Sequence, residues 1–410
     1  MHGCGPLVPP TVGEPRPLRH QIFERVRAAG AIARGDVARE LGISPATVTT
    51  VTNELIDRCL LREFETERET SRGRPRTSIG VVPEAHLVVG LKISDLDHTA
   101  VLIDFAGETL ASVTVTRPAP FENETQLGTL VEDIVDAVCK AGGVKRATLS
   151  AIGVGIPGFV EHTTGIVRWS PVLTEDNVAL QSLLSERLGL PSKIDNDANL
   201  ATLAELWFGT GRADSDFAVV TIEHGVGMGI VINHRLFRGA MGLGLELGHT
   251  KVQMSGALCR CGQRGCLEAY LADYALAREA VTVLGPHAFE TSDNAQIIEA
   301  LYGRAQKGDD IAGSIFKRAG SYLALGLSNV ANLFDPNRII LSGARMKYDL
   351  LYSPEVLAEA GDLAVIPNRN APRIEVHAWG DLIWARGAAA LALDHVCDTT
   401  LGSNEETRAQ

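Results

Sequence analysis

Residues 248–268 read GHTKVQMSGALCRCGQRGCLE. One imidazole (His249) and three thiols (Cys259, Cys261, Cys266) fall within 18 residues, and Gly256, Gly262 and Gly265 let the loop fold back on itself. A Cys3His set is a closed tetrahedral site, so these four side chains are expected to hold a structural Zn2+ with no place left for water. Free thiols, or a redox switch in which oxidation ejects the metal, are the alternatives. The other cysteines (Cys4, Cys59, Cys139, Cys397) are scattered and read as core or chance.

Outward from this loop the chain has the texture of an α/β body, with Val/Ile-rich runs separated by helical stretches from about residue 80 onward. HLVVGLKIS followed by TAVLIDFAG makes one apolar hairpin, and DFAVVTIEHGVGMGIVINHRLF makes another about 130 residues later. The repetition suggests two related halves facing a cleft. Between them, KIDNDANLATLAE puts Asp197 at a strand-to-helix junction. There it serves either as a helix N-cap or as a carboxylate that accepts a proton from a hydroxyl. Asn196 beside it can give and take hydrogen bonds, as sugar hydroxyls require. The glycine-rich GIPGFV and GVGMG turns either cradle phosphate or merely tighten loops.

The N-terminal part reads differently. Residues 1–17 are rich in Pro and Gly and are expected to form a disordered arm, as are the polar residues 398–410. From Leu18, three helical patterns follow: LRHQIFERVRAAG with Ile22, Phe23 and Val26 on one face, GDVARELG, and PATVTTVTNELIDRC. Ser44 is a good N-cap and Pro45 suits the first helical position. Val48, Val51, Leu55 and Ile56 are expected inside, with Thr47, Thr50 and Asn53 on the opposite face. This is a helix-turn-helix pattern. A strand, a turn carrying Arg72, Arg74 and Arg76, and a returning strand then make a wing suited to a minor groove.

The chain has 410 residues, a length that predicts two or three domains. Its net charge of −12 is unevenly spread: residues 1–80 carry 12 Arg, no Lys and 10 acids, leaving −14 for the rest. An acidic body repels DNA, but this asymmetry permits a small DNA-contacting head. No apolar run approaches the roughly 20 residues a membrane helix needs. The N-terminus lacks a basic segment followed by an apolar one, so no secretory signal is expected and the reading is cytoplasmic, without membrane contact.

Three motifs together resemble the ROK family, named for repressors, open reading frames and kinases. They are G-H-x9-C-x-C-G-x2-G-C-x-E from Gly248 to Glu268, G-I-P-G-x-V from Gly155 to Val160, and N-D-A-N-x-A from Asn196 to Ala201. The resemblance runs from the helix-turn-helix to the last helix. It implies a winged helix-turn-helix followed by a two-lobed, actin-like and ribonuclease-H-like α/β body with sugar in the cleft. The boundaries expected are 18–80 for the head, 81–200 and 201–380 for the lobes, and 381–397 for a C-terminal helix packing back on the first lobe.

By the same resemblance, Gly158, Asn196, Asp197, Glu246, His249 and Glu268 would contact the sugar, and the zinc would buttress the loop bearing His249 and Glu268. Asp197 matches the catalytic base of the kinases. Val172 stands where the family often has Asn, so sugar preference is expected to differ.

The kinases open with a D-x-G-G-T phosphate loop, whereas Lys92, Ser94, Asp95 and Leu96 stand at its D, G, G and T here. Glu223-His224-Gly225 begins the second loop, usually G-T-G-x-G, and its carboxylate also repels phosphate. The reading is a sugar-responsive transcriptional regulator, a repressor without kinase activity, binding operator DNA and a sugar or sugar phosphate as a homodimer or homotetramer. Ser44, Thr47, Thr49, Thr50, Asn53 and the three wing arginines are its candidate DNA contacts. A bifunctional sugar kinase, or a module whose effector is another protein, is the alternative.

Overall fold

A computed structural model describes residues 3–7, 16–66, 76–242, 244–285, 287, 293–365, 371–377 and 380–402. Two compact units are present. One holds the described residues up to Ser215, Asn233–Leu236, and those from Leu382 onward; the other holds Asp216–Ile232 and Phe237–Asp381.

The head belongs to the first unit. Helices Leu18–Ala29, Arg34–Leu41 and Pro45–Asp57 enclose Ile22, Phe23, Val26, Val37, Val48 and Leu55, all fully buried. Strands Leu61–Thr66 and Arg76–Val81 form the antiparallel wing, with the short strand Ile32–Ala33 on its other side. Gly42 ends the second helix in the left-handed conformation, at φ 65°, that glycine adopts without strain. Ser44 then caps the third helix by accepting from the Thr47 amide at 3.1 Å. Val51 and Ile56, expected inside, are only half-buried, whereas Thr52 is fully buried, where its hydroxyl accepts from Arg34 at 2.8 Å.

The sheet of the first lobe runs in the order Ser192–Asn196, Leu149–Ile156, Leu87–Lys92, Asp97–Asp104, Thr109–Thr116. The first three are parallel and the last two continue as an antiparallel meander. Side chains alternate across it. Val89, Leu91 and Val154 point into a core shared with helices Glu124–Ala141 and Leu180–Leu188. Gly90 and Gly153 point the other way, toward helix Ile383–Gly402. A Cβ on Gly90 would lie 2.0 Å from the Ala385 carbonyl oxygen, and one on Gly153 would lie 1.8 Å from that of Ala388. A Cβ on Gly387 of that helix would lie 1.8 Å from the Leu200 carbonyl oxygen of helix Asp197–Phe208. The C-terminal helix therefore seats directly on backbone.

The second unit repeats the topology. Its sheet runs Arg235–Phe237, Val226–Ile232, Phe217–Ile222, Arg338–Ser342, Arg373–Val376, again a meander beside two parallel strands. Both sheets thus have the order third, second, first, fourth, fifth, which agrees with the repeat read from the two hairpins. Helices Asp273–Leu284, Asn294–Gln306 and Asp310–Phe334 pack with these strands into one apolar core.

Both disordered termini need correction. Residues 3–7 are docked: Cys4 is buried, and the amides of Cys4, Gly5 and Leu7 donate to the carbonyls of Arg27, Trp207 and Arg212 at 3.2, 2.8 and 2.8 Å. The last helix continues to Gly402, with Leu401 buried, so residues 398–402 are not tail. Composition suggested solvated ends, but backbone pairing and apolar burial outweigh it at these few positions.

Candidate functional site

In the second unit, His249, Cys259, Cys261 and Cys266 bring their ligand atoms within 4.8 Å of one another, a group that can hold a metal ion. Cys259 Sγ lies 3.7 Å from His249 Nδ1, and Cys261 Sγ lies 3.7 Å from Cys266 Sγ. A tetrahedral ion with thiolate bonds of about 2.3 Å needs edges of about 3.8 Å, so the spacing fits. The loop closes because the Val252 amide donates to the Gly265 carbonyl and the Cys259 amide to the Gln263 carbonyl. Gly262 and Gly265 adopt positive φ, and a Cβ on Gly265 would strike the Gln253 carbonyl at 1.9 Å. Burial pushes the Cys259 thiol up, and a bound cation is what reverses that.

Surrounding groups orient the cluster. Lys251 Nζ sits 3.0 Å from Cys266 Sγ and donates to the His249 carbonyl at 3.0 Å. The Tyr274 hydroxyl reaches Cys259 Sγ at 3.5 Å and Glu268 at 3.3 Å, while the Arg260 guanidinium stacks 4.2 Å from its ring centroid. Burial, reinforced by the Cys259 and Glu268 neighbours, raises the Tyr274 pKa strongly and keeps the phenol a donor. Because His249 turns Nδ1 to the thiols, its Nε2 is the nitrogen left to meet a ligand. Glu268 is buried and accepts from the Val226 amide at 3.3 Å. It therefore ties the cysteine loop to the glycine-rich turn. Glu246 precedes the short turn Leu247–His249 and is half-buried.

In the first unit, strand Ser192–Asn196 delivers Asn196 and Asp197 to the carboxyl edge of the parallel strands, the usual ligand edge of such sheets. The cap is Asn196, whose side chain accepts from the Asn199 amide at 2.8 Å. Asp197 is the first helical residue, so the N-cap alternative for it falls away. Asp195, missed in the sequence, is buried beneath them, accepting from Asn199 Nδ2 at 2.7 Å and lying 3.7 Å from His162 Nδ1. Gly158 has φ 113° and faces the Trp169 carbonyl, where a Cβ would come within 2.3 Å. Val172 is core rather than lining. Gly158, Asn196 and Asp197 thus lie on one unit, and Glu246, His249 and Glu268 on the other.

The two stretches compared above with phosphate-loop motifs make contacts of their own. The Ser94 amide donates to His98 Nδ1 at 3.1 Å, its hydroxyl to the Asp97 carbonyl at 2.8 Å, and Lys92 Nζ stacks 3.5 Å from the centroid of buried Trp384. At Glu223-His224-Gly225 in the second unit, Asp273 makes a buried bidentate pair with Arg345, and His224 Nδ1 lies 3.0 Å from its carboxylate. Burial pushes the Asp273 carboxyl up, but hydrogen bonds from His224 and Arg345 outweigh it and hold the group below its ordinary range.

On the head, Ser44, Thr49, Thr50 and Asn53 are exposed, and Thr47 is half-buried with its hydroxyl 2.7 Å from that of Ser44. Glu63 on the wing strand is exposed and pairs with Arg34. Arg72 and Arg74 lie outside the described residues, and Arg76 begins the returning strand.

Sequence reading missed how the head is joined to the lobe. Arg27, fully buried on the first helix, places its guanidinium 4.1 Å from the Trp207 ring centroid and donates to Cys397 Sγ at 2.8 Å. Arg212 donates to the Gly5 carbonyl at 2.8 Å and to the Ala28 carbonyl at 2.6 Å. Helix Asp197–Phe208 therefore has Asp197 at one end and the head packed at the other, about 18 Å apart at 1.5 Å per residue.

Comparison with known proteins agrees with this architecture. The pattern of the ROK family matches residues 88–395. The N-acetylglucosamine repressor of Escherichia coli O6:H1 is 28% identical over 340 residues, 82% of each chain. A glucokinase of Streptomyces coelicolor is 29% identical over 300 residues, covering 70% of this chain and 86% of its own. The crystal structure of a ROK family transcriptional regulator, a homologue of the Escherichia coli Mlc protein, superposes with a TM-score of 0.76. It covers 93% of this chain and 96% of its own, and at 24% identity it bears on the fold.

Proposed function

The chain belongs to the ROK family, and from that premise we propose that it is a sugar-responsive transcriptional repressor without kinase activity. The observation that carries this reading is the helix Asp197–Phe208, which joins a sugar-type polar edge to a helix-turn-helix head within one compact unit. Asn196, Asp197 and Gly158, and separately Glu246, His249 and Glu268, offer groups for the hydroxyls of a sugar or sugar phosphate. Zn2+ is the ion that suits the Cys3His group. It holds His249 so that Nε2–H donates to the ligand, and fixes the loop that carries Glu268.

Helix Pro45–Asp57 enters a major groove, with Ser44, Thr47, Thr49, Thr50 and Asn53 toward the bases, and Arg72, Arg74 and Arg76 enter the adjacent minor groove. A single small head binds weakly at physiological salt, so a homodimer or homotetramer on a palindromic operator supplies the affinity. Sugar changes operator occupancy by as much as it prefers one arrangement of the protein over another. Arg27, Trp207 and Arg212 transmit that preference to the head.

Asp197 is the residue that the family resemblance matches to the kinase base, and a glucokinase is among the relatives, but the loops that would hold ATP favour the other reading. The Ser94 amide is already donated to His98, Lys92 is stacked on Trp384, and Asp95 and Glu223 add negative charge toward a polyanion. Fluorescence anisotropy with genomic operator fragments, with and without a panel of sugars and sugar phosphates, tests the proposal. Sequence-specific binding shifted by one sugar supports it; no specific binding in any condition overturns it. A coupled ADP-release assay on the same panel showing turnover of about 1–100 s⁻¹ would overturn the non-enzymatic half.

A further inference from the structure

The exposed face of helix Pro45–Asp57 has a chemical polarity that its sequence alone does not reveal. Thr49 Oγ1 donates to the Pro45 carbonyl at 2.9 Å, and Thr50 Oγ1 donates to the Ala46 carbonyl at 3.1 Å. Each hydroxyl proton is thereby spent on the helix backbone, which turns the γ-methyl groups outward. Asn53, one turn further on, is engaged by Arg34: Nη2 donates to Asn53 Oδ1 at 3.1 Å.

A guanidinium has only donors, so the Asn53 atom facing it must be the carbonyl oxygen, and the NH2 group is left for the groove. Arg34 is itself fixed, donating through Nε to buried Thr52 Oγ1 at 2.8 Å and pairing with Glu63 on the wing strand. The side chain thus spans the start of the second helix, the third helix and the wing.

An asparagine free at both ends reads adenine by accepting from N6 and donating to N7. With Oδ1 turned toward Arg34, Asn53 presents its Nδ2 hydrogens outward; these match thymine O4, or guanine N7 and O6, whereas adenine offers N7 as its one acceptor and loses the bidentate pair. Thymine alone also carries a methyl group, the apolar partner that two outward threonine methyls select. Resting on the operator-binding reading above, we propose that Arg34 is a specificity-setting positioning residue. It turns the Asn53 amide so that Nδ2 faces outward, and the helix reads thymine edges through Asn53 Nδ2 and the methyl groups of Thr49 and Thr50.

The test begins with selection of duplexes from a randomised pool by the full-length protein. Wild type selecting no sequence at all defeats the regulator reading itself. Wild type selecting adenine or cytosine at the Asn53 position defeats only this proposal, whereas thymine there supports it. Replacing thymine by deoxyuracil at the selected positions should weaken wild-type binding about fourfold per buried methyl. Equal affinity for both duplexes overturns the methyl readout, and this arm needs no variant. Arg34→Met releases Asn53 Oδ1, so adenine should gain at least about fivefold over thymine at that one position. An unchanged preference in a variant that keeps its helical circular dichroism would overturn the role given to Arg34.

Discussion

Arg212→Met removes the guanidinium that clips the N-terminal segment and the head helix to the lobe, while keeping a flexible side chain of similar length. Two charge-assisted hydrogen bonds are lost, to the carbonyls of Gly5 and Ala28. Each such bond contributes about 1.5–3 kcal/mol. Part of this is offset in the native protein, because burial disfavours the Arg212 cation and lowers its pKa. The net expectation is about 2–3 kcal/mol for docking of residues 3–7, which corresponds to a roughly 30- to 150-fold larger open population. Hydrogen exchange reads this directly, since the amides of Cys4 and Gly5 donate to Arg27 and Trp207. Their exchange should accelerate by that factor, while amides of strand Leu149–Ile156 stay protected. Arg212→Lys should not restore protection, because a single ammonium does not reproduce the two-pronged geometry. Sugar affinity and ligand-free operator affinity should change less than threefold, but the sugar-induced shift in operator affinity should shrink. Unchanged protection together with a full sugar response would refute the role assigned to this joint.

Three further outcomes are expected. Cys261→Ser should lose bound zinc, measured by elemental analysis, and cost the second unit at least about 3 kcal/mol, a drop of about 6–12 °C in its melting temperature; full metal content with an unchanged melting temperature would contradict the closed site. Asp273→Asn leaves Arg345 buried without its partner and should cost about 3–5 kcal/mol, more than half of it recovered in the double variant with Arg345→Met. Because the folded Asp273 pKa is depressed, its contribution is complete above the ordinary carboxylate range near 4 and is lost as pH falls toward and through the folded value; in urea titrations the gap between wild type and D273N should be smaller at about pH 3 than at about pH 7. Gly153→Ala forces a Cβ against the Ala388 carbonyl, 1.8 Å away in the present packing, and should destabilise the first unit by about 1–3 kcal/mol or more; a variant as stable as wild type in urea denaturation would show that the C-terminal helix can slide.

The cysteine loop was legible in the sequence because its four ligands and the glycines between them are contiguous, so local spacing nearly determines the geometry. The helix-turn-helix was legible for a similar reason: Gly42, Ser44 and Pro45 are local signals and act in the structure as they read. Partners distant along the chain were not legible. Arg27 looks like any helical surface arginine until Trp207 and Cys397 close over it, and Arg345 gives no hint of Asp273, 72 residues earlier. Thr52 is polar by type, yet it is buried, and Arg34 satisfies its hydroxyl inside the head. The Lys251 contact with Cys266 was within reach, two residues after His249, but a lysine beside a cation site reads as repulsive unless thiolates outnumber it.

The glycine contacts of the last helix bear on how the protein is made. Gly90 and Gly153 leave bare backbone that residues 385–389 cover, and the second unit is encoded between Gly153 and that helix. A nascent chain emerging at about 5–20 residues per second therefore exposes one face of the first sheet for tens of seconds, until the final helix clears the ribosome. The second unit, continuous except for Asn233–Leu236, can complete its core earlier. Emergence of the last helix, rather than of the head, is then the moment at which the first sheet acquires its mature packing.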